Sequence, residues 1–341
     1  MKKFDFCIGN PPYQEENTGN NEGFASPVYH KFLDAAYNVA EKVEMIHPAR
    51  FLFDAGSTPK AWNEKMLSDE HLKVLDYQED ASEIFSNTII KGGVAITYRD
   101  PSRKYGAIGI FSKYDEVNSI RKKVVNDLFI PLSSVMENQT RFDLEALYSK
   151  HPELKKIIGS DGRDKRFRNN IFDKVSLFSR KEKPGDIAVL GVVNNKREWR
   201  YFPERFVDFE GSNLNSWKVA VVRVNGTGAL GEVLSAPVVL APKEGYTQTF
   251  IGIGAYDNKS EAENTIKYVK TKLLRTLLSV YKATQDNSIE VWRAIPVQDF
   301  TSSSDIDWSQ SISEIDQQLY EKYGLTNDEI GFIETHVKEM N

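Results

Sequence analysis

A single cysteine, Cys7, in 341 residues excludes an internal disulfide, and its place inside an apolar run makes it a small core residue. Apolar runs are short. None approaches the ~18 residues that a membrane span requires, and the first residues, Met-Lys-Lys-Phe-Asp, hold no apolar signal segment. Histidine is scarce: the five, at positions 30, 47, 71, 151 and 336, share no metal-site spacing, so no metal is expected. No carboxylate cluster of the dimetal type and no nuclease constellation stands out, so no cleavage activity is expected. A cationic excess is missing too, with a net charge of −5. That last absence excludes little, because only the face that meets a polyanion has to be basic. A cytoplasmic chain with no membrane partner is expected.

Hydrophobic residues at 40% and charged residues at 27% are ordinary for a globular protein, and the length allows two domains, expected at 1–104 and 105–341. The most informative stretch is Phe4-Asp5-Phe6-Cys7-Ile8-Gly9-Asn10-Pro11-Pro12-Tyr13-Gln14. Phe4 to Ile8 is a short apolar run of the kind that forms a buried parallel strand. Gly-Asn-Pro-Pro then stops it, and the two prolines remove two backbone donors and stiffen the turn. A stiff turn at the carboxyl end of a strand lies where open α/β sheets bind ligands. The Asn10 amide oxygen and the Pro11 carbonyl can both accept from one exocyclic NH2, Pro12 locks the geometry, and Tyr13 offers a flat face for a ring. An aromatic amine is a poor nucleophile because its lone pair is delocalised. Two acceptors that draw its hydrogens out of plane localise that pair, which is catalysis by positioning and electrostatics without a side-chain base.

IGNPPYQ after an apolar strand resembles the adenine-N6 DNA methyltransferases of restriction–modification systems. In that family Asn-Pro-Pro-Tyr is the catalytic motif, S-adenosylmethionine gives the methyl group, and the target adenine is flipped out of double-stranded DNA, since its amine is unreachable inside the stack. The resemblance implies catalytic roles for Asn10, Pro11, Pro12 and Tyr13, with Tyr13 stacking on the base. Similar Asn-Pro-Pro-Tyr turns occur in methyltransferases that act on protein glutamine or on RNA, which keeps those substrates open as a third reading.

Further along, residues 14–26 form a polar loop rich in Gly and Asn. It is either a cover for the site or a surface loop without function. Ser26-Pro27 reads as a helix start, followed by a core stripe of Tyr29, Phe32, Leu33, Ala36, Tyr37 and Ala40. Val43–Ile46 reads as a strand ending at His47-Pro48. IHPARFL resembles the matching segment of the same methyltransferases, and His47 reads as structural because nothing pairs with it. A helix over 59–67 and strands over 72–77 and 94–98 complete the series. Between these strands lies the stretch that resembles the family's hairpin region, from which Phe85 is carried over as a second base-stacking residue. Residues 1–104 thus read as α/β, the carboxyl-terminal half of a doubly wound (Rossmann-like) methyltransferase sheet, in the gamma-type order that places the cofactor half first. No strand with a Gly-rich turn precedes Phe4, so the S-adenosylmethionine site is incomplete and its residues are unknown. Gly226-Thr227-Gly228-Ala229-Leu230-Gly231 has the spacing of a cofactor turn, but the strand-like residues after it favour a hairpin.

Residues 163–205 carry twelve Lys and Arg against six Asp and Glu, with six aromatics interleaved (Phe167, Phe172, Phe178, Trp199, Tyr201, Phe202). Such texture suits a phosphate-tracking surface. Arg163, Lys165, Arg166, Arg168, Lys196, Arg197 and Arg200 are therefore the expected DNA-binding residues of a mixed α+β target-recognition domain. It also speaks against a glutamine-directed enzyme. Strands over 187–193, 217–224, 233–240 and 248–254 are expected in this domain. One long helix from a Ser260/Glu263 capping box should follow, then helices capped at Ser311/Glu314 and Thr326/Glu329. The leading expectation is an adenine-N6 DNA methyltransferase or a subunit of one. The alternative is a DNA-binding specificity module without catalysis. Strand 4–8 should leave an apolar edge that pairs with a chain carrying the cofactor half, or with a copy of itself.

Overall fold

Strand β1 (Phe4–Gly9) stands at the edge of a four-stranded sheet in the computed structural model, which describes residues 2–15, 26–53, 57–85, 90, 92–125, 129–158, 165–282 and 285–340. Helix α1 (Tyr29–Val39) returns the chain, and β2 (Ala40–Pro48) lies parallel to β1 with Phe4 opposite Ala40 and Gly9 opposite Met45. Helix α2 (Lys60–Ser68) leads to β3 (Leu72–Gln78), and β4 (Val94–Arg99) inserts antiparallel between β2 and β3. Three strands therefore point the same way, and their carboxyl ends share one rim. Alternation along β2 sends Val43, Met45 and His47 to the covered face, where they pack with Tyr29 and Leu33 of α1, Trp62 and Met66 of α2, and Phe51.

β1 is different. Only Cys7 and Gly9 are partly covered, while Phe4, Phe6 and Ile8 are 58%, 49% and 72% exposed. These are three large apolar side chains at alternate positions on an edge strand. Ile108 and Phe111 pack into the same core, and the chain divides into two compact units, Met1–Asn118 and Ser119–Asn341. Helix α3 (Asp115–Val124) spans the division.

Two local expectations fail for physical reasons. Ser26 and Pro27 do not start α1. They run beside the Pro-Pro turn, with the Glu15 N–H donating to the Ser26 carbonyl at 2.9 Å and a bridge between Gln14 and Pro27, and the helix begins at Tyr29 without a side-chain cap. Phe32 is 44% exposed, because α1 buries only the narrow stripe Tyr29, Leu33 and Ala36. Gly93 is fixed by the rim itself: at φ +72°, an added Cβ would overlap the Gln78 carbonyl oxygen. Gly93→Ala is expected to cost roughly 2–4 kcal/mol in denaturant unfolding, from the left-handed backbone plus the clash. A loss below about 0.5 kcal/mol would contradict this packing.

In the second unit, β5 (Met136–Glu137) joins a four-stranded antiparallel sheet, and β6 (Arg141–Phe142) pairs with β9 (Val207–Asp208). Short helices α4 (Leu144–Lys150), α5 (Leu154–Ile158) and α6 (Ile171–Lys174) precede the hairpin of β7 (Asp186–Val193) and β8 (Lys196–Pro203). Asn194 and Asn195, both at positive φ, make its two-residue turn. The larger sheet is completed by β10 (Trp217–Val222), β11 (Val238–Leu240) and β13 (Phe250–Tyr256), while β12 (Glu244–Tyr246) runs parallel to β7.

The expected single helix is two, α7 (Lys259–Lys270) and α8 (Lys272–Leu278). The break comes at Thr271, whose hydroxyl caps α8 while the buried Asp316 carboxylate accepts from the Lys272 and Leu273 N–H groups. Asn258, not Ser260, caps α7. Helices α9 (Ile312–Lys322) and α10 (Asn327–His336) carry the expected capping boxes at Ser311/Glu314 and Thr326/Glu329. The fold is mixed α/β with several sheets.

Candidate functional site

The rim of the first sheet gathers the turn after β1, the end of β2 at His47-Pro48, the segment after β3, and Gly93 before β4. Asn10 and Pro12 are exposed, and Pro11 and Tyr13 are half-buried, so the proline-locked corner opens to solvent with the Asn10 side chain outside the core. Tyr13 is held from behind: its carbonyl accepts from the Val28 N–H at 3.0 Å, and its ring packs against the core. Its hydroxyl is buried with no hydrogen-bond partner among the described residues, and burial raises its pKa.

Phe85 reaches this corner by a separate route. The Asp80 carboxylate caps the turn over Ala81–Glu83 by accepting from the Ser82 N–H, and the Phe85 N–H closes onto the Ala81 carbonyl at 2.8 Å. The Phe85 ring then stands edge-on to Tyr13, 6.4 Å between centroids and 70° between planes. The fold thus brings together two residues 72 positions apart that the sequence assigned to one task. The part of the polar loop at 16–25 lies outside the described residues.

His47 is fully buried beneath the rim. Its Nδ1–H donates to the Pro48 carbonyl at 3.1 Å, its Nε2 accepts from the Thr97 hydroxyl at 2.8 Å, and its ring stacks on Tyr29 at 5.7 Å. Both nitrogens are satisfied, the arrangement of a structural histidine. Burial lowers its pKa to about 4 from 6.5, only partly offset by the Pro48 carbonyl. Between those values the unfolded chain holds a proton that the fold rejects. The stabilisation is therefore complete above pH ~6.5 and is lost as the pH falls toward 4, with a span of about 3 kcal/mol. Thermal unfolding from pH 7 to 4.5 should show this fall, and His47→Gln should be less stable at pH 7 but with a flatter profile. An equally steep profile in the variant would assign the acid sensitivity elsewhere.

The cations of the second unit separate into three groups. Lys165 and Arg166 are exposed beside Arg141, with the Phe142 N–H bonded to the Lys165 carbonyl at 2.6 Å and a backbone bridge between Arg141 and Arg166. Arg168 is half-buried. Lys196 and Arg197 are exposed at the start of β8, where Arg197 donates to the Ala236 carbonyl and lies 5.8 Å from the Phe250 ring. Arg200 is 8% exposed, ion-paired with Glu198 and placed 5.6 Å from the Phe172 ring. It is a buried structural cation, because β8 alternates and Arg200 shares its inward face with Phe202. Arg163 lies outside the described residues.

The interleaved aromatics also turn inward. Phe167, Phe172, Phe178 and Phe202 pack in one core with Phe142 and Phe206, and Trp199 stays 37% exposed. Strand β8 was missed in the sequence; Asn194-Asn195 between two alternating runs was its signal.

The Gly-rich turn at 226–231 does not form a cofactor cradle. The Thr227 and Gly228 N–H groups donate to the Glu232 carboxylate, which is ion-paired to Lys282, and the chain continues to β11 without a helix. A phosphate or carboxylate ligand would find those donors taken.

Residues 1–85 match the family model described as Eco57I restriction-modification methylase. An uncharacterized adenine-specific methylase of Mycoplasma pneumoniae is 31% identical over 96 residues, 28% of this chain and 23% of its own length. The chain therefore spans about a quarter of the curated relative it matches. A solved structure titled as the type IIG restriction endonuclease BpuSI is similar at a TM-score of 0.35 and 10% identity, over 92% of this chain and 48% of that one. The family-model match thus falls on the unit that carries Asn10 to Tyr13 and Phe85, and that match ends at Phe85. Among the described residues no helix is long and apolar enough to cross a membrane, and no group of three or more His, Cys, Asp or Glu could hold a metal ion.

Proposed function

We propose that this chain is the catalytic and target-recognition part of an adenine-N6 DNA methyltransferase of the restriction–modification type. The observation that carries it is the corner itself: an open Asn10-Pro11-Pro12-Tyr13 turn at the end of a parallel strand, with Phe85 against Tyr13, in the segment similar to restriction-modification methylases. Asn10 and Pro11 accept from the amine of a flipped adenine, Pro12 fixes their geometry, and Tyr13 and Phe85 receive the base.

S-adenosylmethionine would supply the methyl group. The described residues do not fit it, since the one turn with suitable spacing has its N–H groups bonded to Glu232. Its pocket would come from an α/β partner chain that docks at the edge of β1, which is unpaired among the described residues, completing a doubly wound sheet. The exposed Phe4, Phe6 and Ile8 support that docking, because parallel strands are normally covered on both faces. A second reading, a DNA-binding specificity module without catalysis, is supported by the exposed Lys165 and Arg166 alone and does not need the cofactor.

Transfer of label from S-adenosylmethionine to plasmid DNA, with the flanking reading frames co-expressed, separates the two. Label that requires Asn10 supports the enzyme; binding without label supports the module. On either reading, Lys165→Ala and Arg166→Ala should weaken all duplexes alike, each lowering the slope of log K against log salt by about 1. Unchanged slopes would remove these side chains from the DNA surface.

A further inference from the structure

Between β5 and β6 the chain crosses from one sheet to another, and the crossing lines a cavity of about 240 Å³ in the second unit. The crossing residues Asn138, Gln139 and Thr140 line it together with Glu137 at the end of β5 and Arg141 at the start of β6, and Ser212 and Asn213 face them. A connection between two sheets needs no such set of polar side chains. Gln139, which lines the cavity, is 7% exposed. The Glu137 carboxylate accepts from the Asn213 N–H at 3.0 Å and retains most of its lone-pair capacity.

The floor is rigid. The Tyr246 hydroxyl donates to the Glu137 carbonyl, and the Thr140 hydroxyl accepts from the Tyr246 N–H at 2.9 Å. Arg141, also lining the cavity, is steadied by the Glu210 carbonyl and by Asp208 at 3.5 Å, and its backbone bridges to Arg166. The cavity therefore joins the Lys165–Arg166 cations with no gap in the chain pairing.

A carboxylate in the wall disfavours an anion, and Met136, Leu214 and Ile289 give the recess an apolar side against which a flat ring can lie. An acceptor carboxylate, side-chain amides and a guanidinium in one small recess are the groups that discriminate base edges: carboxylates accept from amines, and amides pair with adenine. We propose that this cavity reads the edge of a nucleobase bearing an exocyclic amine, in DNA whose phosphates lie along Lys165 and Arg166. This rests on the DNA reading above and gives it a specificity-determining site, with Gln139 and Glu137 as the base contacts.

The test is selection from a randomised duplex library with the full chain, then affinities for the preferred and a scrambled duplex at one salt concentration. Gln139→Ala and Glu137→Gln should weaken the preferred duplex about tenfold or more and leave the scrambled one nearly unchanged, whereas Arg166→Ala should weaken both equally. Asn138→Ala, at an exposed position, carries the test if the Gln139 and Glu137 variants lose their fold, and should shift base preference at one position. A preference that survives all three substitutions overturns this proposal alone. A wild-type chain that binds every duplex alike overturns the DNA reading with it.

Discussion

Asn10→Ala is expected to reduce methyl transfer by about two to three orders of magnitude, with DNA affinity changed less than about threefold. The argument is one of charge development. As the amine attacks, its nitrogen becomes positive and its hydrogens become stronger donors. An acceptor fixed beforehand therefore gains more in the transition state than in the ground state. Asn10 and Pro11 make a pair, and removing one leaves an amine still conjugated with its ring. Exposure makes Asn10 a clean position, because a solvent-facing side chain with no core contacts costs at most about 0.5 kcal/mol of stability when truncated. Unfolding of the variant at the wild-type midpoint, together with lost transfer, separates chemistry from folding. Transfer within a factor of ten of wild type would mean that Asn10 does not grip the amine.

The second large effect concerns the edge of β1. Phe4, Phe6 and Ile8 are half to three-quarters exposed, and burying them should yield about 3–5 kcal/mol, before any ladder hydrogen bonds to an edge that is unpaired among the described residues. Expressed alone, the chain should associate reversibly at micromolar concentration through this edge. Phe6→Ser with Ile8→Thr should shift sedimentation to the monomer by at least about tenfold in concentration. Cys7 and Gly9, which face the covered side, are left in place, so the first core is kept. A monodisperse wild-type monomer at tens of micromolar would remove this surface as a docking edge.

Features set by local chemistry could be read from the chain before any coordinates. The Pro-Pro turn ends β1 where its missing donors require, the capping boxes at Ser311/Glu314 and Thr326/Glu329 form, and His47 is buried with both nitrogens satisfied. Position on the far side of a pairing could not be read. Arg200 and the phenylalanines around it carry the composition of a nucleic-acid surface, yet the pairing of β8 with β7 turns Phe202 and Arg200 inward together. Composition is blind to the face of a strand until its partner is known.

The long helix failed similarly. An unbroken stripe from Ile266 to Leu278 hides Thr271, where a hydroxyl and a carboxylate from α9 outcompete continuation of the helix. At the candidate site, Asn10 to Tyr13 are contiguous in the chain, whereas their meeting with Phe85 depends on β3 and the Asp80 cap. The base-edge cavity was not legible at all, since Glu137 to Arg141 face Ser212 and Asn213 only after two sheets have formed.

Identifying the methylated atom tests the central claim most directly. Genomic DNA from an adenine-methylation-deficient host, co-expressing this chain with its flanking reading frames, would be digested to nucleosides and analysed by mass spectrometry. The account predicts N6-methyladenine with the wild-type chain and none above background with Asn10→Ala. N6-methyladenine at equal levels in both, or a methyl group found only on protein or RNA, would contradict it.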